Sequence, residues 1–350
     1  MAKKKEEVAA PAEAAKEAVK DATSVIVNKK YGKGLFVKGS DLIDNPKRII
    51  SISPRIDLLL NGGIRETDWI SIIGPPKIGK TVLALRMAER CQKQGFFVLY
   101  ANIENRLKAM NLKGTRGLIW DDEDKLMVLQ SRKDKILNGE EYLDIMETKL
   151  KNSDNVFLIA DSFSSLAHPK QVEQGVGTHT RGGMGVLTSQ FINNISPVVQ
   201  ARGHIIVNIL QQYCNTSGFG GPRNVSGGSK VIYQSDTTIE ARKKVELKSG
   251  EKIFGQSVTW EIDCSSLGGF PGSKVDSYIK YGHGIYAEME LIDMAKEVGI
   301  IEVSGSWLQY GEEKYQGMAN FAKVLEEDET LYNEIYEKVM ETYKALREEA

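Results

Sequence analysis

The octapeptide GPPKIGKT, residues 74 to 81, closes an apolar run and opens an amphipathic one. Its glycines, lysine and hydroxyl have the spacing of a phosphate cradle. In such a cradle glycines let backbone N–H groups converge on phosphate oxygens, the lysine reaches the β- and γ-phosphates, and the hydroxyl beside it binds Mg²⁺. Gly74, Pro75, Pro76, Lys77, Ile78, Gly79, Lys80, Thr81 and Val82 are therefore the candidate nucleotide-binding residues. Proline has no N–H to donate, so phosphate contacts are expected from Lys77 onward. Further along, VFLIADS ends an apolar strand on Asp161, at the edge where α/β proteins bind ligands, and Thr81 with Asp161 forms the candidate Mg²⁺ pair. Glu104 follows FFVLYAN at the same edge, where a glutamate either activates water or is a solvated loop residue. Gln211, at the end of IIVNILQQ, is placed to report a γ-phosphate to the loop after it.

These residues need a scaffold that brings strand ends together. From Asp68 the pattern alternates buried-type strands with amphipathic helices: DWISIIG, then GKTVLALRMAERCQKQG, then FFVLYANIE. EEYLDIMETKLKN reads as a helix, NVFLIADS as a strand, residues 184 to 200 as a helix and HIIVNILQQ as a strand. Repeated βα alternation predicts a largely parallel sheet covered on both faces. After residue 235 the strands are joined by short turns, KSGE marking a hairpin, so an antiparallel extension is expected there. RIISISPRIDLLLNGGI reads as a helix-like apolar run closed by Gly62 and Gly63. YAEMELIDMAKEVGII and DETLYNEIYEKVMETYKALREE are helical and enclose a small terminal lobe around Trp307 and Tyr310.

Composition narrows the function classes. Of 350 residues 41% are hydrophobic and 27% charged, and no window approaches the ~20 apolar residues of a membrane span, so a cytosolic protein is expected. The opening MAKKKEEVAAPAEAAKEAVKDATS is basic at its start but lacks the apolar stretch of a secretory signal. Cys91, Cys214 and Cys264 form no CxxC pair and are expected to be reduced thiols; His168, His179, His204 and His283 show no metal-ligand spacing. A net charge of −1 excludes a general nucleic-acid coat, so any polyanion site is local.

In order and spacing, YGKGLFVKG, GPPKIGKT, ANIEN, LIADS, IVNILQQY, SGGSKVIYQSD and the lobe's YGHGIYAEMELIDMAKEVGIIEVSGSWLQYGEEKYQGMANFAKVL resemble the RecA-type recombinases of bacteria and their phage relatives over roughly residues 24 to 345. The resemblance implies a RecA-like P-loop ATPase core with a small C-terminal α/β lobe. It divides the chain into an arm and subunit-docking segment over residues 1–45, a core over 46–285 and a lobe over 286–350. It assigns Glu104 as the water-activating group, Asp161 as the metal-site aspartate and Gln211 as the link from γ-phosphate to the second DNA-binding loop, with ATP and Mg²⁺ as cofactors.

The segments from about Gln171 to Gly183 and from about Tyr213 to Lys230 are similar to the family's two DNA-binding loops. Both are long and glycine-rich, the profile of functional segments. Arg181, Arg223 and Lys230 offer phosphate partners, Gly182, Gly227 and Gly228 expose N–H groups, and Phe219 is placed to stack on bases. The implied partners are single-stranded DNA, homologous duplex DNA, further copies in a head-to-tail filament, and single-strand-binding and loader proteins, in the cytoplasm of the cell or of a phage host. Bacterial members carry two lysines one residue apart on a late strand, and SVTWEIDCSSLGG has none. That leaves Lys230, Lys243, Lys244 and Lys248 as candidates for completing an ATP site across the subunit boundary. The tyrosine that stacks near adenine is missing from ENRLKAMNLKG. A ring-forming RecA-fold helicase and a nucleotide-binding regulator without a DNA role are the alternatives.

Overall fold

The computed structural model describes residues 23–44, 46–170, 183–213, 224–225, 229–266 and 268–348. The chain divides into two compact units, residues 1–47 and residues 48–350. In the first, a helix over 23–31 and another over Gly39–Asp44 carry exposed apolar side chains, among them Ile26, Leu42 and Ile43.

The second unit is built on one large sheet. Its strands are β1 (Trp69–Gly74), β2 (Phe97–Asn102), β3 (Leu126–Leu129), β4 (Val156–Asp161), β5 (Ile205–Tyr213), β6 (Asn224–Val225), β7 (Thr237–Ser249), β8 (Lys252–Ser265), β9 (Lys274–Lys280) and β10 (Gly284–Ile285). They lie in the order β10-β9-β8-β7-β1-β5-β4-β2-β3, with β6 beside β5. The segment from β7 through β1, β5, β4 and β2 to β3 is parallel, and β7 to β10 continue it antiparallel. This is the mixed α/β architecture that the alternating pattern and the KSGE turn predict.

Side-chain alternation along the parallel strands explains the two layers. One face buries Ile70, Ile72, Val98, Tyr100, Phe157 and Val207 under helix α1 (Lys80–Lys93). The other buries Leu99, Leu158, Ala160, Ile206 and Leu210 under α2 (Gly139–Lys151) and α3 (Gly183–Arg202). Fully burying one such aliphatic side chain contributes about 1.5–3 kcal/mol, so two dry faces hold the strand ends in register. Helix α2 starts where it does because Asn138 caps it: Asn138 Oδ1 accepts from the Glu141 N–H at 3.0 Å, and Glu141 Oε2 accepts from the Asn138 N–H at 2.9 Å.

The apolar run RIISISPRIDLLLNGGI is not one helix. It forms a two-residue strand (Ile49–Ile50), a helix (Pro54–Leu59) and a second short strand (Ile64–Arg65) that pairs back on the first. Pro54 favours a helix start, and Gly63 sits too close to the carbonyl of Ile50 for any Cβ, which would lie 2.3 Å away. The terminal lobe combines α4 (Ala287–Glu297), α5 (Met318–Glu327) and α6 (Glu329–Glu348) with a three-stranded antiparallel sheet over Glu302–Ser304, Trp307–Tyr310 and Glu313–Gln316. Its own core includes Leu291, Ile292, Phe321, Leu325 and Ile335.

Candidate active site

GPPKIGKT forms the turn between β1 and α1, at the carboxyl edge of the parallel sheet. Lys77 lies in the left-handed region at φ 58°, and Gly79 at φ 122° is pressed against β9, where a Cβ would meet Ile279 Cδ1 at 2.6 Å. Gln256 on β8 donates to the Ile78 carbonyl at 2.9 Å, so the antiparallel extension braces the turn. Lys80 curls back to donate to the carbonyls of Gly74 at 2.7 Å and Pro75 at 2.8 Å. It is 7% exposed and makes no ion pair among the described residues. Burial pulls its pKa down, against the charges of Asp161 and Glu104. A desolvated ammonium resting on carbonyls is suited to receive an anion.

The strand ends supply the rest. Registers pair Asn102 with Asp161, Asp161 with Ile209, and Gly74 with Gln211, which sets the functional side chains on neighbouring strands. Thr81 Oγ1 donates to Asp161 Oδ2 at 3.1 Å, a hydroxyl and a carboxylate forming the hard-oxygen set that Mg²⁺ takes. Tyr100 also donates to Asp161 Oδ2, at 2.5 Å. Burial raises the Asp161 pKa; the Tyr100 bond works against it, and the nearby Glu104 charge adds to it. Glu104 Oε1 accepts from Ser162 Oγ at 2.6 Å, Ser165 Oγ at 3.3 Å and Gln211 Nε2 at 2.5 Å. Its Oε2 faces the exposed Arg106 at 3.5 Å. The bend that carries Glu104 is shaped by Asn102, whose Oδ1 accepts from the N–H groups of Arg106 and Leu107 at 3.1 Å each.

Lys80, Thr81, Asp161, Glu104 and Gln211 thus converge on one edge. Lys230 is the second residue of the short helix Ser229–Gln234, whereas Arg181, Gly182, Phe219, Arg223, Gly227 and Gly228 lie outside the described residues. Sequence reasoning missed Tyr100, Ser162 and Asn102. Tyr100 looks like one more apolar residue of FFVLYAN, and only the strand register reveals that its hydroxyl meets Asp161. It also missed that His283 approaches Glu288 and Glu326, their ligand atoms lying within 4.8 Å of one another. Arg116 and Lys280 already pair with those carboxylates at 3.1 and 3.2 Å, which leaves a cation little to gain there.

Sheet order, a glycine-rich strand-to-helix turn and an acid, amide and lysine at one edge define the class as an α/β protein with a nucleotide-type site and an appended lobe. Residues 17–286 match the RecA N-terminal domain and residues 289–344 the RecA C-terminal domain. The chain belongs to the RecA family, and its role is that of a recombinase in DNA recombination and repair. Family members are DNA-dependent ATPases that use ATP with Mg²⁺, bind DNA and form filaments. The chain is 32% identical to Protein RecA of Nitratidesulfovibrio vulgaris, over 95% of its own length and 91% of the relative's. It is 31% identical to Protein RecA of Oleidesulfovibrio alaskensis (95% and 93%) and 29% to that of Wolinella succinogenes (90% and 88%). Among the described residues no helix is long and apolar enough to cross a membrane.

Proposed function

We propose that this chain assembles head to tail on single-stranded DNA, binds Mg²⁺ and ATP through GPPKIGKT and Asp161, and uses the nucleotide to control its grip on DNA during homologous pairing and strand exchange. Lys80 neutralises phosphate charge, and Thr81 with Asp161 holds the metal. Mg²⁺, when bound, supplies charge neutralisation at the β- and γ-phosphates.

Glu104 is the group that takes a proton from the attacking water. Ser162, Ser165 and Gln211 hold its Oε1, so Oε2, paired only loosely with an exposed arginine, is the oxygen free to accept it. The bond from Gln211 Nε2 to Glu104 Oε1 at 2.5 Å is the observation that carries the reading. It joins the hydrolytic acid to the last stretch of β5, which leads directly into residues 214–223. A change at the γ-phosphate position therefore reaches the second DNA-binding segment through one side chain, biasing DNA affinity. Arg181, Arg223 and Lys230 bind backbone phosphates, Gly182, Gly227 and Gly228 offer N–H groups, and Phe219 stacks on bases. Exchange of identical strands is nearly balanced in pairing energy, so homology is tested by pairing itself.

Electron microscopy of the protein with ATP and single-stranded DNA tests the assembly. Open helical filaments are expected; closed rings would support a motor, and neither form would support a regulator without a DNA role.

A further inference from the structure

We propose that Tyr100 is a positioning residue for the metal pair: its hydroxyl fixes the Asp161 carboxylate so that Thr81 presents its oxygen in one orientation. The inference rests on the reading that Thr81 and Asp161 hold Mg²⁺, and deepens it.

Tyr100 is fully buried on β2, its ring in the apolar layer under α1 with Val98 and Ile159. Phenylalanine would fill that layer equally well. What the hydroxyl adds is a 2.5 Å bond to Asp161 Oδ2, the same oxygen that accepts from Thr81 Oγ1 at 3.1 Å. Two donors on one carboxylate oxygen pin it in both directions. Rotating the carboxylate away would strand a phenolic hydroxyl where no water competes, at a cost of about 1–3 kcal/mol.

Thr81 has one proton to give and two lone pairs to offer. With its proton committed to Asp161, Thr81 keeps lone pairs to offer a metal. Tyr100 lies inside β2 with its ring packed in the core, whereas Thr81 lies at the start of a helix and Asp161 at the end of a strand, so the tyrosine is the partner fixed by packing. Partners that orient metal-binding groups in this way typically change metal affinity by 10–100-fold when removed.

The test is nucleotide binding by the full chain, followed by the fluorescence of a labelled ADP as Mg²⁺ is titrated from an EDTA baseline. Tyr100→Phe is expected to bind the label in EDTA as the wild type does, and to require about tenfold more Mg²⁺ for half of the Mg²⁺-dependent gain. In an Asp161→Ala background, which removes the acceptor, adding Tyr100→Phe should move that midpoint no further. 4-Aminophenylalanine at position 100, which restores a donor, should bring the midpoint back. A Tyr100→Phe midpoint equal to that of the wild type overturns the proposal while leaving the metal pair intact. A wild type with no Mg²⁺-dependent gain overturns the metal pair itself. Should Tyr100→Phe not fold, Tyr100→Met is read in the same way, and failure of both to fold would assign Tyr100 to packing instead.

Discussion

Two regions of the molecule hold acids at least half-buried, and they treat them differently. At the carboxyl edge, Asp161 and Glu104 are held mostly by side chains: Thr81, Tyr100, Ser162, Ser165 and Gln211. Where helix Pro54–Leu59 meets the terminal lobe, Asp57 and Glu290 are fully buried and held by backbone N–H groups and side-chain hydroxyls in equal measure. Asp57 accepts from the Ile52 N–H at 2.7 Å, Ser51 Oγ at 2.6 Å and Tyr336 OH at 2.9 Å. Glu290 accepts from the N–H groups of Arg55 at 3.1 Å and Tyr278 at 3.3 Å and from Ser277 Oγ. Burial raises the pKa of Asp161, Asp57 and Glu290 alike. The direction of a shift therefore does not mark chemistry. What distinguishes the edge is a lysine that makes no ion pair among the described residues beside acids held by side-chain donors; the junction adds backbone N–H groups that cannot turn away, which makes it a fastening.

The largest contrast is expected from removing the lysine. Lys80→Ala should abolish ATP turnover, and Glu104→Gln should keep nucleotide binding while hydrolysis falls about 10²–10⁴-fold, as loss of a general base does. Steady-state ATPase rates together with equilibrium nucleotide binding check both, and an unchanged rate in Glu104→Gln would remove it from that role.

A smaller effect is expected at the junction, and in stability rather than rate. Burial pushes Asp57 up to about 7 from its ordinary 3.8. The folded state then holds a proton that the unfolded chain releases, so Asp57's contribution is fully present below pH 4 and is lost as pH rises toward 7. Urea unfolding of wild type between these values should show stability falling by a few kcal/mol, an order set by 1.36 kcal/mol per pKa unit. Asp57→Asn should flatten that slope without moving the nucleotide affinity. A parallel slope in the variant would mean that other acids of the junction set it.

The same comparison shows what was legible beforehand. Glycine, lysine and hydroxyl spacing marks GPPKIGKT, and an acid or amide ending an apolar run marks Asp161, Glu104 and Gln211, because strand ends of a parallel sheet meet at one edge. Asp57 and Glu290 lie inside PRIDLLL and AEMELID, where a helical pattern hides whether an acid faces solvent or core. Tyr100 was hidden for the converse reason: an aromatic in an apolar strand reads as packing. The antiparallel extension was legible from KSGE, whereas the split of RIISISPRIDLLLNGGI depends on a close backbone approach at Gly63 that no periodicity encodes.

The central claim is that nucleotide and DNA affinities are coupled through Gln211. The direct measurement is the affinity of wild type and Gln211→Ala for a fluorescent single-stranded oligonucleotide, with and without a non-hydrolysable ATP analogue, across a salt series. The account predicts that the analogue tightens binding by the wild type at every salt, and that Gln211→Ala binds the analogue but loses most of that gain. Equal oligonucleotide affinity with and without the analogue in the wild type would contradict it.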